Sequence, residues 1–268
     1  MSNSNRGVLF DYGSTSSTAS GLIRPGTMLI KGCSFIANQL SHYEGSYAIR
    51  FTKRKELEDI NLSLRFVDNL VSIDKDRTIG MMYFTVANNE EATMHWTKLN
   101  FCNNIIKGTG IYIRSVNNAY CVNNEITGSA SIGLRVHYVK NTAVIKNNSA
   151  RNCIDAGVAT WGAIESSGIE KANLLIVDGN TSCDCLMGDP KGSNTEDSSI
   201  SVVHAKNCFV TNNSTYTVDN EREQDGVIVR YCNEAHFYNN NVISEAKVKC
   251  GYRDVDTIYT SPPEPEPV

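Results

Sequence analysis

Read for apolar and polar positions, the chain alternates with a period of two, in short bursts that open on a small residue. Four are clear: Ser46-Tyr47-Ala48-Ile49-Arg50, Gly110-Ile111-Tyr112-Ile113-Arg114, Gly133-Leu134-Arg135-Val136-His137 and Gly226-Val227-Ile228-Val229-Arg230. Gly80-Met81-Met82-Tyr83, Gly162-Ala163-Ile164-Glu165 and Ile200-Ser201-Val202-Val203-His204 follow the pattern more loosely. Such alternation predicts strands with one buried face. A second apolar run such as Ala143-Val144-Ile145 comes next, and then a fragment built on asparagine: Cys102-Asn103-Asn104-Ile105-Ile106, Val122-Asn123-Asn124-Glu125-Ile126, Asn239-Asn240-Asn241-Val242-Ile243. Aligned on these fragments, asparagines stand at 69, 104, 124, 148, 180, 213 and 241. Helical periodicity is nearly absent; Lys53 to Leu64 is its best candidate, as an inserted helix or loop.

Short β-rich segments cannot bury an apolar face alone, but stacked repeats pair edge to edge and share one core. Asparagine tolerates the left-handed backbone region and bonds nearby backbone groups, so it suits the recurring turn. Stacked asparagines can also form a side-chain ladder. The pattern therefore predicts an all-β chain, a right-handed single-stranded parallel β-helix (solenoid) of about seven or eight coils. A β-sandwich turns every 8–12 residues or so and would not repeat one Asn-Asn motif at about thirty. The expected organisation is an N-terminal linker or cap over 1–25, the parallel β-helix over 26–255, and a Pro/Glu-rich disordered tail over 256–268. The insertions Gly188 to Asp197 and Val218 to Asp225 are expected to be loops of the kind that carry function.

Composition narrows the partners. A net charge of -4 with no basic stripe argues against nucleic acid. No apolar stretch approaches the ~20 residues of a membrane span, and because Met1-Ser2-Asn3-Ser4-Asn5 is not a basic segment leading into an apolar core, no secretory signal is expected. The nine cysteines show neither C-x-x-C nor zinc-type spacing, so buried reduced thiols are expected, with no metal and no cofactor.

If Ile111 and Ile113 point inward, Tyr112 and Arg114 point outward, and the same register sends out Arg50, Arg135, His137, Glu165, His204, Ile228 and Arg230. Stacked at ~4.8 Å per coil, Arg50, a position near Tyr83 to Thr85, Arg114, His137, Glu165, His204 and Arg230 would form a line of about 29 Å, room for several sugar units. Arginines grip carboxylate or sulfate in a bidentate way, and histidine exchanges protons near neutral pH. For β-elimination, Arg114 or Arg135 would neutralise a uronate while His137 removes its C5 proton and Tyr112 or Tyr138 protonates the leaving oxygen. Hydrolysis would instead need two carboxylates, Glu165 with Asp155, Asp184 or Asp189. The candidate catalytic residues are thus His137, Arg114, Glu165 and His204; the candidate substrate-binding residues are Arg50, Tyr112, Arg135, Tyr138, Trp161 and Arg230. Trp161 and the tyrosines could stack on sugar faces. The competing account is an ordinary solvated sheet, whose outward positions must be polar in any case.

On these x-Asn-Asn-x-apolar fragments and Gly-led strands, over roughly residues 28 to 250, the chain resembles the pectate-lyase-like right-handed β-helices, in the branch with phage tailspikes and capsule depolymerases. The resemblance implies a polysaccharide partner, acidic in the reading above, and often a homotrimer. It also implies a lyase, glycosidase or C5-epimerase activity, or adhesion without catalysis. The expected location is a phage tail or virion, made in the host cytoplasm. The clustered aspartates that bind calcium in pectate lyases are not found.

Overall fold

The computed structural model describes residues 6–12, 25–37, 47–53, 60–73, 82–86, 95–162, 170–185, 198–216, 225–243 and 248–263. Among them the chain is all β, with 24 strands and no helix. Every strand pairing is parallel, in one 16-stranded and one 8-stranded sheet, an arrangement compatible with a β-helix-like solenoid.

The strands recur in a fixed order that defines three columns. The first contains β1 (Arg6–Tyr12), β4 (Tyr47–Lys53), β7 (Met82–Val86), β10 (Ile111–Val122), β12 (Leu134–Lys146), β14 (Val158–Gly162), β17 (Ser198–Val203), β20 (Asp225–Arg230) and β23 (Val248–Arg253). The second contains β2 (Gly26–Lys31), β5 (Leu62–Val67), β8 (Trp96–Cys102), the C-terminal halves of β10 and β12, β15 (Ala172–Asp178), β18 (Ala205–Thr211), β21 (Glu234–Tyr238) and β24 (Thr257–Tyr259). The third is the smaller sheet: β3 (Ser34–Ala37), β6 (Leu70–Ile73), β9 (Ile105–Lys107), β11 (Glu125–Thr127), β13 (Ser149–Arg151), β16 (Thr181–Cys183), β19 (Ser214–Tyr216) and β22 (Asn241–Ile243). Numbered from the N-terminus, these strands make eight three-column repeats and a ninth with the first two columns only.

Strand pairing reaches into both end stretches. Arg6–Tyr12, inside the stretch read as linker or cap, pairs with β4, and Thr257–Tyr259, inside the stretch read as tail, pairs with β21. Lys53 ends β4 and Leu62 opens β5, so the ends of the helix candidate are strand; 54–59 lie outside the described residues.

Alternation fills the interior as expected. Phe51 stacks on Phe84 at 5.1 Å and Phe84 meets Phe101 edge-on at 4.5 Å. Further along, the Phe84 level carries Ile113, Val136, Thr160, Val202 and Val229, and the Phe101 level Cys121, Ile145, Val177, Val210 and Phe237. The outer rule fails in one region. β17 is buried at every position and β20 at all but Arg230, so Ile228, outward by register, has no exposure.

The asparagine turn holds the columns in register. The residue before each ladder position has positive φ: Gly32, Asp68, Asn103, Asn123, Asn147, Gly179, Asn212 and Asn239, all between 54° and 67°. Asp, Asn and Gly are the residues that accept this conformation at least cost. At Gly179 a Cβ would also lie 2.4 Å from Asn147 Oδ1. After Gly32 the next residue is Cys33; after the other seven it is the ladder asparagine: Asn69, Asn104, Asn124, Asn148, Asn180, Asn213 and Asn240. Each Nδ2 up to Asn213 donates to the Oδ1 of the next at 2.8–3.2 Å. It also donates to a main-chain carbonyl of the previous repeat, as Asn148 Nδ2 does to Cys121 O at 2.8 Å. Each Oδ1 accepts in addition a backbone N–H from the previous repeat, beginning with Cys33 N–H to Asn69 at 2.9 Å. The last rung is Asn240, not the expected Asn241, which is exposed at the start of β22. In a run of three asparagines, only the backbone tells which follows the left-handed residue.

Asn148→Ala would leave the Asn124 main-chain N–H and Nδ2 group and the Cys121 carbonyl short of partners in a buried site. Chemical denaturation should show a loss of about 3–5 kcal/mol. Asn147→Gly, one residue earlier at φ 54°, should stay within about 1 kcal/mol of the parent. Equal effects of the two would contradict the ladder.

Candidate functional site

Register divides the expected line of polar side chains into two rows. Arg50, Tyr83, Tyr112 and Arg135 are successive partners, and the row continues through Ala159, Ser201 and Ile228. The other row, two residues further along the strands, pairs Arg114 with His137 and, past an irregularity, Trp161 with Val203, Arg230 and Arg253. Arg50 therefore does not line up with Arg114, His137 and Arg230 as expected. The break lies between β12 and β14, where His137 and Tyr138 together face Trp161 alone. A bulge of this kind redirects side chains and recurs beside functional sites.

At the bulge the two rows merge into one cluster. The Trp161 ring stacks on His137 at 4.2 Å and 12°. Arg135 lies 4.8 Å over Tyr112 and 5.6 Å over Trp161, and its Nε–H donates to His137 Nε2 at 2.9 Å. Arg114 lies 5.0 Å over Tyr138, and its Nη1 donates to Tyr83 Oη at 3.4 Å. Tyr83 meets Tyr112 edge-on at 4.9 Å. Below the cluster, Ile132, Ala156 and Ala159 form a small buried patch against Tyr112, and Ser131 Oγ donates to Asp155 Oδ2 at 3.1 Å. Thus Arg114, Arg135, His137, Tyr112, Tyr138 and Trp161 come together. Tyr83, marked in the sequence only by its neighbourhood, completes the cluster.

The remaining candidates lie elsewhere. Arg50 bonds Thr52 Oγ1 through Nε at 3.1 Å. His204 is not on a strand; it sits at the corner after β17 with φ 59° and stacks on Tyr231 at 4.9 Å. Tyr138 (φ 53°) and Tyr231 (φ 55°) hold comparable corners. Arg230 pairs with Asp225 at 3.2 Å, and Arg253 approaches the same oxygen at 3.5 Å. Sequence reasoning passed over Arg253, although Cys250-Gly251-Tyr252-Arg253 ends an alternating run on arginine as Gly226 to Arg230 does. The first-column strand of the sixth repeat is Val158–Gly162, so the fragment ending in Glu165 begins where that strand ends. Glu165 and Asp189 lie outside the described residues. Asp184, at φ 48°, is a corner residue after β16 in the third column.

Electrostatics constrain the chemistry. His137 is 2% exposed, and burial first, then Arg135 and Arg114, hold its pKa well below the usual imidazole value. It is a neutral ring with the Arg135 Nε–H set against both its nitrogens, 2.9 Å from Nε2 and 3.3 Å from Nδ1. Burial also pushes the Tyr112 phenol up to about 12, keeping it protonated. The Trp161 ring carries His137, the Tyr112 ring the Arg135 guanidinium and the Tyr138 ring that of Arg114. What the cluster can do is hold two planar cations at fixed height on the sheet. Arginine stacked on aromatics is pre-organised for carboxylate, sulfate or phosphate. Among the described residues no group of three His, Cys, Asp or Glu is placed to hold a metal, and no helix is long and apolar enough to cross a membrane.

His137 ties stability to pH. Its folded pKa lies below the usual imidazole value of about 6.5, so its stabilising contribution is complete above about 6.5 and falls as pH drops from there toward the folded value. Denaturation between pH 7 and 5 should show a slope approaching ~1.4 kcal/mol per pH unit from this residue. His137→Gln, which keeps an acceptor for Arg135, should remove that component. An unchanged slope would contradict the buried neutral imidazole.

Comparison with family models, with curated proteins and with solved structures finds no match, so the site is read from its own geometry.

Proposed function

We propose that the chain winds as a right-handed parallel β-helix of the pectate-lyase-like kind and binds an acidic polysaccharide on its first-column face, as a tailspike-like virion protein, with a homotrimer as its assembly. The observation that carries the binding reading is the pair Arg114 and Arg135, on adjacent strands in neighbouring rows, each lying on aromatic rings. Two guanidiniums held this way suit the repeated carboxylates of a uronic acid polymer. Parallel columns present equivalent positions every ~4.8 Å, a regular track for a linear ligand.

A lyase or glycoside hydrolase activity would require a base or a carboxylate pair at this face. One observation favours adhesion without cleavage by His137: the ring is buried and its Nε2 accepts from Arg135. Epimerisation at C5 would need the same exposed base and is disfavoured for the same reason.

A panel of acidic and neutral bacterial capsules tests the reading. Binding is expected for acidic members only, falling at least about tenfold in Arg114→Gln and in Arg135→Gln, since hydrogen bonds to charged groups contribute about 1.5–3 kcal/mol. New reducing ends, with or without absorbance from unsaturated uronates, would restore the lyase or hydrolase version. Failure to bind any acidic capsule would sink the proposal.

A further inference from the structure

The corner after the third column holds a row of small buried side chains that the polysaccharide reading does not use. Gly108, Gly128, Asn152 and Asp184 all have positive φ there, and each N–H bonds the carbonyl ending the next repeat's third-column strand, as Asn152 N–H does to Cys183 O at 3.0 Å. The residues that follow them, Thr109, Ser129, Cys153 and Cys185, therefore occupy equivalent places, all with at most 1% exposure or none. Two thiols thus stand on successive repeats, in one buried group with Ala150. Each points the same way: Cys153 Sγ donates to Arg151 O at 3.6 Å, and Cys185 Sγ to Cys183 O at 3.5 Å. Cys185 Sγ also reaches across to Ala150 O, on the repeat that carries Cys153, at 3.7 Å.

Equivalent positions on paired parallel strands lie ~4.8 Å apart, inside the Cα separation of about 4.4–6.8 Å that a disulfide spans. We propose that Cys153 and Cys185 are an oxidative cross-linking site: with a small-molecule disulfide as oxidant they form an intrachain disulfide tying the fifth repeat to the sixth. The Cys185 thiolate attacks the oxidant and expels one small thiolate. The Cys153 thiolate then attacks the Cys185 sulfur of the mixed disulfide and expels the second. Two electrons pass to the oxidant, and the two thiol protons end on the released small thiols. A hydrogen bond from the Cys153 thiol lowers the Cys185 pKa against the opposing effect of burial, which suits Cys185 to the first attack.

The test treats the full chain with oxidised glutathione in two arms, folded and during refolding from denaturant. Remaining thiols are alkylated under denaturing conditions, and non-reduced peptides are mapped by mass. The expected result in at least one arm is a linked peptide pair containing Cys153 and Cys185, 2 Da lighter than the sum of the two thiol peptides. The thermal midpoint should rise in that sample, reverse with reductant, and stay unmoved by oxidant in Cys185→Ser. Serine is a mild replacement, because Ser129 already holds the equivalent place. Alkylation of both thiols in both arms, bonds among other cysteines only, or the same midpoint response in Cys185→Ser would overturn the proposal.

Discussion

The constraint on which the rest of the structure depends is the full satisfaction of the buried asparagine amides that stack from the second repeat to the seventh. A primary carboxamide has two N–H donors and two acceptor lone pairs. In the ladder interior both donors and both lone pairs have protein partners, and most of these belong to a neighbouring repeat. A slip of one residue would exchange the ladder asparagine for its exposed neighbour and leave several buried polar groups unpaired, a cost far above that of any single surface contact. Register is thereby set at the turn and transmitted to the strands on either side.

That register fixes the outer face, and the outer face fixes the candidate site. Because β10 and β12 align residue for residue up to Val116 and Val139, Tyr112 faces Arg135 and Arg114 faces His137. Because β12 and β14 fall out of step at the bulge, Trp161 slides under His137. Burial there turns histidine into a neutral spacer and keeps tyrosine a phenol, so the charge of the cluster resides on its arginines. The aromatic side chains support those cations.

Much of this was legible in the sequence, and the failures have physical causes. Asparagine spacing and period-two alternation marked the columns, because both follow from local backbone geometry. The choice of Asn240 over Asn241 was not legible, since it turns on which residue takes the left-handed conformation. The single polar line failed because alternation counts along one strand, whereas alignment between strands also depends on corners and bulges, as Arg50 and His204 show. Ile228 failed for another reason: alternation says which way a side chain points, not whether that side is covered. The role of Arg230 changed because its partner, Asp225, stands five residues away on the same strand, a pairing that sequence alone does not single out from the other acids nearby.

Hydrogen exchange at the turns addresses the central claim most directly. The main-chain N–H groups of Asn69, Asn104, Asn124, Asn148 and Asn180 lie in loop-like sequence, yet each donates to a buried side-chain oxygen of the next repeat. If the ladder sets the register, these amides should exchange only with the global unfolding of the stack, as slowly as the core strands around Leu99, Cys121 and Ile145. Exchange at the rate of exposed turns, with the flanking strands still protected, would contradict it.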